Sequence, residues 1–508
     1  MKHSLKFMAL GTVALGAVLA VGQAKAADAN TAIVVVVPTE PDTLETCESS
    51  NESIGRITKE NINETLLDID PKDGKLIPRL AKSWEQVDPL TWRFKLVENA
   101  KFTDGTPWNA DAMVFNINRA FSKKFVCGMT NKAFAGFTPT AHKVDEFTVD
   151  VKTEKPAPIL ATGFGVFTMA SPKIAADKPE RNPPGTGPYK FAEWVAGDRV
   201  VLERNEDYWG AKPEISKVTF TFRPESAVRA AMSATGEADI AVAITEQDAN
   251  NPKTDFSYLD SETTWLRIDT RYAPMNDVRF RKALNYAVDR EAMLGTVVSA
   301  NAIPAAQLPV PGISGHDPNL KPYTYDPAKA KALLAEAKAA GVPVDGKIRF
   351  IARSAQFAQV EEFAQALTAM FQDVGLDVEL EMMERGRQNR FQAKPLPTDV
   401  GPNIMLIMSD NNLGDAGFSV SNYHTNGTQS TTSIPELDAL IDKTMSLTGE
   451  ERAKGFYQIF DEAQNEYATM VPLFHMTAIT RVSERIDWKP TITTNSQIDV
   501  QKMKIKKN

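Results

Sequence analysis

The stretch from residue 347 to 382 constrains the fold more than any other. KIRFIA, at 347–352, is an apolar run of strand length. A helical stripe follows at Val360, Ala364, Leu367 and Phe371, and Gly375 supplies its stop. Leu376, Val378, Leu380 and Met382 then alternate with Asp377, Glu379 and Glu381, the period of a half-buried strand. Strand, helix and strand within about 40 residues demand parallel strands joined by a right-handed crossover. A third strand, NIMLIM, follows at 403–408. Upstream, Asp277 precedes a helical face of Phe280, Ala283, Leu284, Ala287 and Val288. Asp326-Pro327 opens another helix through Ala330, Leu333, Leu334 and Ala337, with Gly341 as its stop. This half of the chain is an α/β domain. The first half mixes strands (AIVVVV at 32–37, TWRFKL at 91–96, alternation at Val218, Phe220 and Phe222) with helices and shows no repeat.

In open α/β sheets, ligands sit beyond the carboxyl ends of the strands. Two such ends are densely polar here. One carries Arg385 and Arg387; the other carries Asp410, Asn411, Asn412 and Asp415. Arg offers a planar fork to carboxylate or phosphate, and Asp and Asn offer acceptors and donors. The same residues also suit a solvated face or an Asx turn, so both readings stand.

Catalytic chemistry finds little support. The five His occupy positions 3, 142, 316, 424 and 475, with no H-x-x-H or H-E-x-x-H spacing, and no metal site or cofactor is expected. Gly185-Thr-Gly-Pro188 lacks the Gly-Lys-Ser/Thr of a phosphate loop, and Pro188 has no amide to donate. Ser314 misses the G-x-S-x-G elbow. A formal charge of −8 argues against nucleic acid, whose phosphates need Lys and Arg. Residues 1–26 read as a signal peptide: Lys2 and Lys6, an apolar run over 7–21, then Ala24-Lys25-Ala26. That run of about 15 residues is short for a bilayer span. An exported chain meets an oxidising compartment, which favours a Cys47–Cys127 disulfide over two separate buried thiols.

Several stretches together resemble family 5 extracellular solute-binding proteins, the peptide- and nickel-type receptors of ABC importers. They are Leu80-Ala-Lys-Ser-Trp84-Glu85, TWRFKL, Ala100-Lys-Phe-Thr-Asp104-Gly105-Thr-Pro107, Gly185-Thr-Gly-Pro-Tyr189, Asn205-Glu-Asp-Tyr-Trp209, Gly236-Glu-Ala-Asp239 and the run from Asn276 to Arg290. The resemblance implies a bilobed α/β periplasmic-binding-protein fold of the large three-domain kind, with mixed sheets, flanking helices and a hinge between the lobes. It places lobe I at 27–268 with an extra domain at about 72–190, lobe II at 269–474, and a return to lobe I at 475–508. The crossings would fall near 265–269 and 471–477. It also implies a monomeric periplasmic receptor, not an enzyme and not embedded in a membrane. Such a receptor hands a short peptide to permease subunits powered by cytoplasmic ATPase subunits. Asp410 falls at the acidic position that holds a peptide's α-amino group, and Asn411, Asn412, Asp415, Arg385, Arg387 and Trp265 complete the expected binding set. The loop departs from the family's W-x-x-D-Y-x-D-P pattern, with Ile407 or Met408 in place of Trp and Ala416 in place of Pro. An opine, a sugar phosphate or another polar metabolite is therefore the alternative cargo.

Overall fold

Strands Asp255–Ile268 and Met470–Val482 are long enough to serve two bodies at once, and they pair antiparallel along their length. The register slips between Leu259 and Thr263, opposite Thr477 and His475. On one side of that break they join Ile240–Ile244, Ala32–Val37, Lys217–Phe222, Arg199–Arg204 and Tyr189–Val195. On the other side they join Asn403–Asp410, Ile348–Arg353 and Val378–Met383. The first set forms lobe I and the second lobe II. This computed structural model describes residues 31–506 other than 73, 135, 136, 355, 412 and 413, so the expected leader and Asn412 lie outside the described residues.

Residues 262–268 pair with 404–410 of lobe II, Trp265 among them. The return strand slips opposite, between His475 and Thr477.

Lobe II follows from its local signals. The Asp277 side chain caps helix Val278–Ala287, and Asp326 caps Pro327–Ala339 with Pro at its first turn. Helix Val360–Asp373 crosses between the parallel strands Ile348–Arg353 and Val378–Met383. Leu266, Phe280, Leu284, Phe350, Phe363, Leu367 and Ile404 fill the core on one face of the sheet. Trp265, Ile351, Met405, Ile407, Leu437 and Phe456 fill the other. In lobe I, Ile33, Val35, Phe220 and Val242 pack with Val482, Ile498 and Met503 from the far end of the chain.

A four-stranded antiparallel sheet, Ala81–Asp88, Thr91–Leu96, Thr148–Lys152 and Thr140–Asp145, makes a third body. Its core runs from Cys47 to Met169 and so begins before residue 72. The Cys47–Cys127 disulfide is formed within it. The Gly185-Thr-Gly187 turn is a packing device. A Cβ at Gly185 would lie 1.9 Å from the Ile62 carbonyl oxygen, and one at Gly187 would lie 2.3 Å from that of Asn61. Only glycine allows that approach.

Candidate functional site

The break in the two long strands leaves Asp260, Ser261 and Glu262 between the lobes. Glu262 lies directly opposite Asp410 in register, which places both carboxylates on one face of the sheet. Asp410 is the last residue of its strand, and its Oδ1 accepts the Ser261 hydroxyl at 2.8 Å. The Glu262 amide donates to Asp260 Oδ1 at 2.9 Å. Asp260 is only 7% exposed. Burial pushes its carboxyl up to about 7; the Asp410 and Glu52 charges add to the rise, while the Glu262 amide and Arg56 oppose it.

Arg353 ends the neighbouring parallel strand and is half-buried. Burial lowers its guanidinium pKa, Arg385 beside it lowers it further, and Glu262 pulls the other way. Carboxylates and guanidiniums therefore meet at one rim of the cleft, beyond the carboxyl ends of the lobe II strands.

Cavities lie on both faces of the crossing strands. The larger, about 400 Å³, runs between Ile244–Gln247 of lobe I and Val297–Ser299 and Phe357–Gln359 of lobe II, with Asp260, Glu262 and Met408 on its wall. The smaller, about 220 Å³, lies on the opposite side between Asp70–Lys72 and Pro311–Ile313, with Leu259 and Asn411 between them. Contacts bridge the lobes at each. The Ser299 hydroxyl donates to Glu246 at the larger cavity. At the smaller, the Gly74 backbone lies against the Gly312 and Gly414 carbonyls. The two lobes therefore touch beside both cavities.

The residues expected from sequence divide. Asp410 stands at the rim. Asn411 is buried, its amide group donating to the Ser261 and Ser409 carbonyls and accepting from Ser419. Asp415 is paired with Arg452 at 2.9 Å and accepts the Gly417 amide at 2.7 Å, which seats the turn after the strand. Trp265 is buried in the lobe II core, and its indole donates to Ser409 at 2.9 Å. Arg385 opens helix Arg385–Gln392, and Arg387 on the same helix pairs with Glu381 at 2.8 Å. Asp260, Glu262 and Arg353 were missed. Arg353 follows KIRFIA by one residue, so the strand-end rule applied one residue later would have found it. Asp260 and Glu262 carry no local signal, because a strand break made by distant pairing is invisible in a window.

The scattered histidines are brought partly together. His316 and His475 stack edge to face at 6.0 Å near the hinge. Burial lowers the His475 pKa to about 3, and the Thr263 hydroxyl bonds its Nδ1 at 2.8 Å. Among the described residues no three His, Cys, Asp or Glu form a group able to hold a metal ion. Among them, too, no helix is long and apolar enough to cross a membrane.

Asp260 makes hinge stability depend on pH. Its folded pKa is raised, so its contribution is full below the unfolded carboxylate range and is lost as pH rises through about 7. Asp260→Asn is expected to stabilise the protein at pH 8 by about 2 kcal/mol, part of the burial cost being relieved by relaxation. The gain should vanish at pH 4, as thermal or urea unfolding at the two pH values would show. Equal gains at both would remove the carboxylate from this role.

The model for Bacterial extracellular solute-binding proteins, family 5 Middle matches residues 75–429, more than half of the chain. The nickel-binding periplasmic protein of Escherichia coli (strain K12) is 29% identical over 349 residues, covering 61% of this chain and 63% of that protein's own length. The periplasmic binding protein DppA from Helicobacter pylori, in complex with the peptide STSA, superposes with a TM-score of 0.76 at 20% identity, covering 94% of this chain and 98% of the other. The binding protein AgaA from A.tumefacien R10, in complex with agropinic acid, gives 0.76 at 23% identity over 94% and 99%. The structural matches agree with the two lobes and the paired crossing strands, and the family model over more than half of the chain shows that it belongs to the family 5 bacterial extracellular solute-binding proteins.

Proposed function

We propose that this protein is an exported periplasmic receptor of an ABC importer that closes its lobes on a short peptide. It would deliver that peptide to a membrane permease driven by cytoplasmic ATPase subunits. The observation that carries this reading is the rim of the lobe II sheet, where Asp410 lies opposite Glu262 and Glu262 acts on Arg353, with Arg385 beside that guanidinium. Opposite charges a few side chains apart suit a zwitterion, with the peptide's ammonium at the carboxylates and its carboxylate at the guanidiniums. The cavity beside them, about 400 Å³, lies within the range of small-ligand sites. The structural relative DppA, which holds the peptide STSA, lends support. The protein would act as a monomer, released by cleavage after residue 26, and would bind its ligand without turning it over.

A second reading, a polar opine-like metabolite, is favoured by one observation. Asn411, Asp415 and Trp265 are engaged within the protein, which leaves a smaller peptide-holding set than expected. The relative AgaA, which holds agropinic acid, fits it.

Native mass spectrometry of protein purified from periplasm without refolding separates the two. A mass excess that dissociates into peptides supports the first reading, and a single non-peptide mass supports the second. Asp410→Ala is expected to weaken peptide binding about 10- to 100-fold in calorimetry, the range for a hydrogen bond to a charged group. Unchanged affinity would move the ammonium site elsewhere.

A further inference from the structure

The larger cavity has a one-sided charge that a simple zwitterion does not use. Glu246, Asp260 and Glu262 all line it, and among the described residues no Lys or Arg does. Arg353 acts on Glu262 from the rim, not from the cavity wall. Asp260 is the most telling of the three. It is more than nine-tenths buried, and among the described residues its carboxylate accepts only the Glu262 amide, on Oδ1. Arg56, the cation that acts on it, also bonds Glu52 at 3.2 Å and Asn495 at 2.7 Å. A buried carboxylate without an ion pair is costly, and a cavity on its open side gives an incoming cation a place to offset that cost. The rest of the wall suits a long aliphatic stem: Phe357, Met408 and Met476 lie along it.

Resting on the peptide reading above, we infer that the preferred cargo is a peptide bearing a basic residue, whose side-chain cation enters this cavity and pairs with Asp260. Its α-ammonium goes to Asp410, so the two cations of the ligand meet two separate carboxylates. Glu246 closes the far side, where Ser299 of lobe II donates to it. Lobe closure thus brings a third carboxylate to the cavity.

The test is calorimetry on the mature chain at pH 8. Its probes are alanine tripeptides carrying one lysine at the first, second or third position, each compared with its norleucine counterpart. Norleucine keeps the stem and removes the charge. At least one lysine peptide should bind about tenfold or more tighter than its counterpart, the usual margin for a charge-assisted bond. Asp260→Asn should erase that margin, so that lysine and norleucine peptides bind the variant alike. Should the variant fail to fold, the lysine-to-norleucine ratio on the unmodified protein decides alone. Equal binding of lysine and norleucine peptides at every position overturns the inference and leaves the peptide reading standing. Absence of binding by any tripeptide overturns both.

Discussion

Replacing Arg119 with Met should cost about 3–5 kcal/mol of stability, the usual penalty for stranding one partner of a buried ion pair. Arg119 and Glu45 are 2% and 0% exposed, and the guanidinium meets the carboxylate with two parallel bonds of 2.8 Å. Arg119 also donates to the Ala175 and Lys178 carbonyls, so its loss leaves several acceptors unmet. Burial alone would raise the Glu45 pKa, but the bonds from Arg119, its charge and the Glu180 and Cys47 amides outweigh it and hold the group low. The sign of the pH dependence follows. In the native protein the contribution of a lowered carboxylate is present above the unfolded range, near pH 4, and is lost as pH falls through the folded value. The variant's deficit should therefore be largest at neutral pH and shrink towards pH 4, where Glu45 takes up a proton. Urea unfolding at pH 8 and pH 4 measures both. A deficit under 1 kcal/mol at pH 8 would mean that the third body relaxes and lets water reach Glu45.

Removing the disulfide should cost a similar amount. Cys47 and Cys127 close a loop spanning 80 positions, which by chain entropy corresponds to about 4 kcal/mol. The bond ties the short turn Thr46–Glu48 to the start of helix Gly128–Phe134, and both sulfur-bearing residues are buried. The Cys47→Ser, Cys127→Ser protein should unfold at a lower urea concentration by that margin. Arg119 Nη1 lies 3.9 Å from Cys47 Sγ. Combining Arg119→Met with the disulfide removal should then cost less than the two separate losses together, since both loosen one neighbourhood. Strict additivity would show that the ion pair and the bond stabilise separate units.

Lobe II was legible because its rules are local. Asp277 and Asp326 cap the helices their spacing announces, and the 347–382 unit pairs in parallel as its length requires. The motifs carrying the family resemblance were legible too, and in the structure they prove to be scaffolding. Tyr208 and Trp209 both donate to Glu64, Asp239 accepts the Val34 amide and pairs with Arg485, and Arg290 donates to the Pro472 carbonyl. Residues that identify a family in this way say little about its cargo. The hinge carries no local signal, because Asp255–Ile268 and Met470–Val482 find each other across about 200 residues, beyond the range of any periodicity. The place of Asp410 was legible because it ends a strand whose apolar run is unmistakable. Asp260 was not, because its importance comes from burial against partners that sequence proximity does not reveal.

The late arrival of Val482, Ile486, Ile498, Val500 and Met503 in a core begun by Ile33 and Val35 sets an order of assembly during synthesis. A ribosome releases the cores of lobe II in one contiguous stretch, from Trp265 to Met476. Lobe I, started first, must wait for the last residues of the chain before its sheet gains the strand that pairs Ile240 with Val482. The body begun first is completed last. A nascent chain of this topology keeps the sheet of lobe I unfinished until translation ends, although the third body between Cys47 and Met169 is already complete.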